Sequence, residues 1–379
     1  MHFATIPEHK NIKTYLTQAV HAKKIAHAHL FIGQEGSANL SLALAFASYL
    51  HCLESNVTND ACGKCAPCLK IKKWVHPDIQ FISPTPGLQQ ATDKQNSESN
   101  LLPQWRTFIS TKPYGTISDW SYHINEEGKQ LSIKVATVRQ IITQMGLTAF
   151  EGKYKIIIIW LPELLHSVAA NALLKKLEEP PQGTIFLLVS TYSDKVLNTI
   201  TSRTQQHRVS LFTDGAIRKM VSQQYPSLIA AHLEEIILLA EGNLHKGFQL
   251  AMYDDVGNSL FEHFQYWMRY CYSQNMSELL LQAASFHTMD REKQKIFFNY
   301  VLHMMRAILL DKFNVTPLIN SPVHEQHFIK KIGKHISHKQ LTDYIGWTNQ
   351  AYYYLERNAN PKMVYMSLSI KIGQAFQLK

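Results

Sequence analysis

Two uninterrupted apolar runs constrain this 379-residue chain more than any other feature: "KIIIIWL" from Lys155 to Leu161 and "IFLLVS" from Ile185 to Ser190. A strand with one face in water alternates apolar and polar residues. A run without alternation needs apolar cover on both faces, the condition of a parallel sheet packed between helices. The segment between the runs, Ser167 to Glu179, places Ala170, Leu173, Leu174 and Leu177 at i, i+3, i+4 and i+7. That spacing gives a helix one apolar stripe to lay on the sheet, and Pro180-Pro181 stop it. Strand, helix and strand in this order predict an α/β fold.

A third strand candidate, Leu30 to Ile32, opens "LFIGQEGSANLSLALAFASYL", where Gly33 and Gly36 precede a long apolar helix starting near Leu40. A phosphate-binding loop of the form G-x-x-x-x-G-K-[ST] sets a lysine on the β- and γ-phosphates and a hydroxyl on Mg²⁺. Here its last three positions are Ala38, Asn39 and Leu40. A fourth strand is expected at Asp78 to Ser83. From Pro84 to Asn100 the chain is rich in Gln, Ser, Asn and Thr and reads as a mobile insertion. Trp105, Phe108, Tyr114, Trp120 and Tyr122 follow among turn residues; they suit either a satellite core or a surface that stacks on bases or a partner.

From about Leu211 onward no convincing parallel strand appears and helical patterns dominate. The expected organisation is an α/β domain over 1–210, carrying a cysteine module at 52–68 and the insertion at 84–130. A small helical domain at 211–253 would have Gly242-Asn243 between two helices, and a helical domain would fill 254–379, with Tyr253 to Ser259 as the linker. A net charge of +9 and a pI near 9.1 leave an anionic partner as open as a merely basic surface. No run approaches the ~18 apolar residues of a membrane span, and "MHFATIPEHK" has no signal-peptide core, so a cytoplasmic protein is expected.

Four of the five cysteines fall in the pattern Cys52-x9-Cys62-x2-Cys65-x2-Cys68. In a reducing compartment this pattern points to metal more than to disulfides. Four thiolates suit tetrahedral Zn²⁺, with Gly63 and Pro67 supplying the bends, and a site filled by protein ligands would be structural. Four buried thiols in a small core are the alternative. Iron–sulfur ligation fits less well, because the usual fourth cysteine after the triple is missing.

Taken together, "HAHLFIG" leading into the glycine loop, the cysteine module, "HPD" at His76 to Asp78, the Ile-rich strand, "NALLKKLEEPP" from Asn171 to Pro181 and "TSR" at Thr201 to Arg203 resemble the clamp-loader AAA+ proteins of bacterial DNA polymerase III. The likeness is specific from Lys13 to Val209 and is greatest to the delta-prime group. It implies a RecA-like AAA+ domain, a helical lid, and a helical collar through which five subunits form an open ring. The implied partners are gamma/tau and delta subunits, with the sliding clamp reached indirectly and primer-template DNA bound by the whole complex. No membrane partner is implied.

The same resemblance identifies what is missing. ATP-hydrolysing members have the loop lysine and two acids ending the main strand, where this sequence has Asn39, Trp160 and Leu161. Glu163, the nearest acid, lies past Pro162. His245 stands where those members have a lid arginine that senses the γ-phosphate. Phosphoryl transfer depends on positioning and electrostatics, so intrinsic ATPase activity and ATP binding are not expected. Backbone amides of Gly33 to Ala38 leave weak nucleotide binding open. Arg203 matches the family's arginine finger, which acts in trans on a neighbour's ATP; Glu178-Glu179 violate the helix-dipole preference at a C-terminus, a sign of functional constraint. A motor subunit with a divergent loop is the rival reading, and a zinc-dependent DNA-binding module acting alone is a third.

Overall fold

The computed structural model describes residues 1–55, 59–87, 98–126, 129–145, 149–252, 256–315, 321 and 323–377. It separates into two units, Met1–Ala216 with Gly242–His245, and Ile217–Glu241 with Lys246–Lys379.

The first unit is built on five parallel strands, β1 (Ala28–Ile32), β2 (Ile79–Ile82), β5 (Lys155–Trp160), β6 (Thr184–Ser190) and β7 (Gln205–Arg208), in the order β2-β5-β6-β1-β7. Every residue of β5 and β6 is buried, as the unbroken apolar runs require. The α/β class expected from the sequence, a parallel sheet packed between helices, is the one the chain adopts. The helix joining β5 to β6, Ser167–Glu178, buries Ala169, Ala170, Leu173 and Leu177 against the sheet core, with Leu174 packed partly against it. The helix after the glycine loop, Asn39–His51, is buried all round from Leu40 to His51.

Strand β7 escapes sequence reasoning because it pairs only with β1 at the sheet's edge and its "QQHR" buries His207 alone. That ring stacks on buried His29 of β1, with Nε2 2.9 Å from Nδ1. Asp78, just before β2, accepts hydrogen bonds from the amides of Phe150, Glu151 and Gly152 at 2.6, 2.9 and 2.7 Å. This buried carboxylate is fully engaged and pins the turn that leads into β5.

Residues 88–97 and 127–128 of the expected insertion lie outside the described residues. The rest is ordered structure: helices Glu98–Thr111 and Ile117–His123, and a ribbon pairing β3 (Thr85–Pro86) with β4 (Leu131–Ser132). Trp105, Phe108, Tyr114 and Trp120 are buried, and of the five aromatics only Tyr122 is exposed. They form a satellite core and not a stacking surface.

The second unit contains no strand among its described residues. Along the chain, helix Ala230–Ala240 is followed by the turn at Gly242, which belongs to the first unit and whose φ of +82° suits glycine, and then by Leu244–Met252. The long helix Arg291–Lys312 packs against Val323–Gly333 and His338–Glu356, and Pro361–Gln377 packs against Val256–Ser273 and Met276–Thr288. Residues 253–255 of the expected linker lie outside the described residues, and its second half is the first turn of Val256–Ser273. Trp267, Phe286, Phe297 and Tyr365 build the core. Cys271 is fully buried there, and burial pushes its thiol far up.

Candidate functional site

At the position of the missing lysine, Asn39 turns inward. Its Nδ2 donates to the carbonyls of Gly33 and Ser190 at 3.0 and 3.1 Å, while its Oδ1 accepts from the Leu40 amide at 2.7 Å. The side chain ties the loop to the end of β6 and presents no charge. The Gly33 amide is already bonded to Ser190 and the Ser37 amide to Gln34. Asn243 lies over the loop so closely that a Cβ at Gly36, where φ is +76°, would fall 1.8 Å from its Oδ1. The Leu244 amide donates to the Gly36 carbonyl at 3.2 Å.

The end of β5 is equally closed. The Trp160 ring lies 5.0 Å from Trp105 and 5.8 Å from Phe108 of the insertion, whose Trp120 sits 5.1 Å from Trp105. The next residue, Leu161, takes a left-handed φ of +59° and ends the strand. Glu163 turns to the amides of Thr191 and Tyr192, at 3.0 and 3.4 Å, and burial raises its carboxyl above the usual range. The space left between Gly36, Asn39, Tyr114, Trp160 and Glu163 is about 120 Å³, below the ~300 Å³ at which ligand pockets begin. An open depression of about 620 Å³ beside the loop sets Arg208 against Glu35 and Asp194. It offers no surplus positive charge for a triphosphate.

His245 does not face the loop as a sensor would. Its Nε2 lies 3.1 Å from Oδ2 of Asp119, in the helix Ile117–His123. Asp119 also completes a capping box with Thr116 and pairs with Lys112 at 3.1 Å. Burial pushes this carboxyl up, but His245, the Thr116 hydroxyl and Lys112 outweigh it and hold it below the usual carboxylate range. The pair was not anticipated from sequence. Thr116-x-x-Asp119, a capping-box pattern, was the available signal.

Arg203 lies between the short helix Asn198–Thr201 and edge strand β7. Its Nη2 reaches Oε1 of Glu178 at 2.7 Å, and its Nη1 donates to the Thr199 carbonyl at 2.9 Å. Two separately conspicuous features of the sequence are therefore one contact. The Glu178 and Arg203 side chains are 48% and 36% exposed, so the guanidinium stays accessible to a partner.

In the cysteine module, Cys52 caps the end of Asn39–His51, and Cys65 caps the start of Ala66–Lys72. The sulfurs of Cys52, Cys62, Cys65 and Cys68 lie within 4.8 Å of one another. Zn–S bonds of ~2.3 Å would set sulfurs ~3.8 Å apart in a tetrahedron, so the four can hold one ion after a small contraction. The Cys62 amide points at the Cys52 sulfur, 3.1 Å away, and the Cys65 amide at the Cys62 sulfur, 3.4 Å away. The Lys64 amide is the main influence lowering the Cys62 thiol to about 7, while burial raises those of Cys52 and Cys68. Gly63 makes the tight turn with φ +74°, whereas Pro67 sits in the first turn of the following helix, where its missing N–H costs nothing.

A family model described as DNA polymerase III, delta subunit, matches residues 8–212. The chain is 24% identical over 244 residues to the DNA polymerase III subunit delta' of Bacillus subtilis, covering 64% of this chain and 59% of that protein. It is 28% identical over 218 residues to the subunit delta' of Pseudomonas aeruginosa, covering 58% of this chain and 53% of that one. The chain thus spans little more than half the length of these relatives. It is also 27% identical over 252 residues to the DNA polymerase III subunit tau of Bacillus subtilis, covering 65% of this chain and 37% of that protein. Among the described residues, no helix is long and apolar enough to cross a membrane.

Proposed function

The chain belongs to the family described as DNA polymerase III, delta subunit, and on that footing we propose that it is the non-hydrolysing, delta-prime-like subunit of a replicative clamp loader. It would neither bind nor turn over ATP. It would supply Arg203 in trans to the ATP site of a neighbouring gamma/tau-like motor, in an assembly that also holds a delta subunit and acts on the sliding clamp and primer-template DNA.

The observation that carries this reading is Asn39. Its amide is spent on the carbonyls of Gly33 and Ser190, so the position that would carry the phosphate-binding lysine ties the loop to the end of β6 and brings no charge. Trp160 and Leu161 deny Mg²⁺ its acids, and the satellite core occupies the approach. Arginine suits the trans role because its planar, permanently charged fork can bind two phosphate oxygens at once. The metal suited to the four cysteines is Zn²⁺, held structurally: all four positions are protein ligands, and none remains for a reacting water.

The likeness to a tau subunit keeps one rival, a motor with a divergent loop. Hydrolysis by the purified chain, with and without primed DNA, separates the two. Turnover at background in both conditions is expected; a DNA-stimulated rate abolished by Glu163→Gln would favour the motor.

A further inference from the structure

The second unit contains a cup that the clamp-loader reading does not use. It has a volume of about 560 Å³ and lies between the helices Val256–Ser273, Val323–Gly333 and Pro361–Gln377. Its floor is apolar: Phe261 packs edge-on to Phe328 at 5.6 Å, Met268 and Ile332 lie beside them, and Tyr272 stands edge-on to Phe376 at 5.4 Å. Tyr272 is 57% exposed and forms an open aromatic wall. The volume lies within the ~300–1,000 Å³ of pockets that bury most of a ligand.

The rim has one sign of charge. Arg269 and Lys331 line it together with His327 and His335, and no carboxylate does. Among the described residues, none of these four is ion-paired. The surrounding sequence explains the bias: from His324 to Lys339 there are four lysines and four histidines against one acid, Glu325. That acid is buried and accepts a hydrogen bond from the Tyr300 hydroxyl, so it faces the core and leaves the cations unbalanced.

We propose that this cup is a docking site for an acidic peptide segment of a partner protein, with one or two large apolar side chains seated on the Phe261–Phe328–Phe376 floor and carboxylates over Arg269 and Lys331. Net charge weighs against a second copy of this chain, which at +9 would bring more basic than acidic groups to a cationic rim. The apolar floor favours a peptide side chain over a base: a base seated on Phe261, Met268, Phe328 and Ile332 would press its polar edges against apolar groups, with hydrogen-bonding partners confined to Gln265, Tyr272 and the rim, and leaving such groups unpaired is costly. Apolar anchors in a desolvated pocket carry most of the energy of such contacts, and rim charges steer and orient.

The test uses the full chain and three fluorescein-labelled probes in an anisotropy titration: a 12-residue Asp/Glu-rich peptide with two phenylalanines, the same peptide with serine at those two places, and dT20. The phenylalanine peptide should bind best, with the serine version weaker by ~10-fold or more, as expected for a lost buried anchor. Arg269→Glu with Lys331→Glu should weaken the phenylalanine peptide by at least ~10-fold, since like charges now meet across the rim. Gln265→Trp fills the cup and keeps every rim charge, so it should also abolish binding; it decides the matter if the charge-reversed chain does not fold. Equal binding of the two peptides, or binding indifferent to Gln265→Trp, overturns the proposal. Preferential binding of dT20 that these substitutions abolish overturns it too, reassigning the cup to nucleic acid.

Discussion

Oε1 of Glu178 lies 2.7 Å from Nη2 of Arg203, joining the last residue of the β5–β6 crossover helix to the arginine that precedes the edge strand. Both side chains are partly exposed, and a bridge of this kind is worth only ~0.2–1 kcal/mol. It can aim the guanidinium without locking it. A neighbour's triphosphate, carrying more charge than one carboxylate, could draw the arginine away. Glu178→Gln should therefore leave the melting temperature almost unchanged. In the reconstituted complex it should slow the one motor site this chain serves by roughly fivefold, the rate equivalent of ~1 kcal/mol of lost positioning, and so lower bulk DNA-dependent ATPase by less than Arg203→Ala does. A large drop in melting temperature with no effect on rate would make Glu178 a structural residue.

Restoring the missing lysine alone should not restore chemistry. Asn39→Lys removes the hydrogen bonds to Gly33 and Ser190, at a cost of ~1–2 kcal/mol, and still faces Trp160 and Leu161 instead of acids. Thermal melts should show the loss, and ATP turnover should stay at background. Recovered turnover would mean that the closed end of β5 matters less than the loop.

For the cysteine module, metal analysis of protein purified without chelator should give one zinc per chain. Cys65→Ser should lose the metal and much of the stability, because assembling such a site contributes to folding. Iron in the site, or a metal-free chain equally stable with four titratable thiols, would contradict the assignment.

The Asp119–His245 pair gives a pH dependence of definite sign. A carboxyl whose folded pKa lies below its unfolded value binds fewer protons when folded. Its stabilisation is complete above the unfolded value of ~3.9 and is lost as pH falls through the lowered folded value. Asp119→Asn should cost ~1–3 kcal/mol at neutral pH, and the gap between variant and wild type should narrow below about pH 4. Denaturant melts across pH 3 to 7 check this; a constant gap would show that Asp119 acts through something other than its charge.

The sheet was legible where its physics is simple. Runs such as Ile156 to Ile159 have only one home, a strand covered on both faces, and the apolar stripe of Ser167–Glu178 has only one partner. Edge strand β7 was not legible, since a strand with one neighbour has no need of apolar residues on both faces and "QQHR" advertises nothing. At the site, the absences at Asn39, Trp160 and Leu161 could be read off position by position. What packs around those positions could not be, because the packing of Trp105 on Trp160 and the pairing of Asp119 with His245 join residues far apart in the chain. The Glu178–Arg203 contact lay between: both residues stood out for separate reasons, and only the fold makes them one feature.

The most direct test of the trans-acting role is the DNA-dependent ATPase of the complex reconstituted with Arg203→Ala. Arginine fingers are worth ~10³ to 10⁵ in rate at the site they serve; because one of several motor sites depends on this chain, bulk hydrolysis should fall only partly while clamp loading falls much further. Assembly and the melting temperature of the isolated subunit should be unchanged, and Arg203→Lys should rescue poorly, since a point charge lacks the guanidinium's bidentate geometry. If both variants assemble and load clamps at the wild-type rate, Arg203 serves no neighbour and the proposed mechanism is wrong.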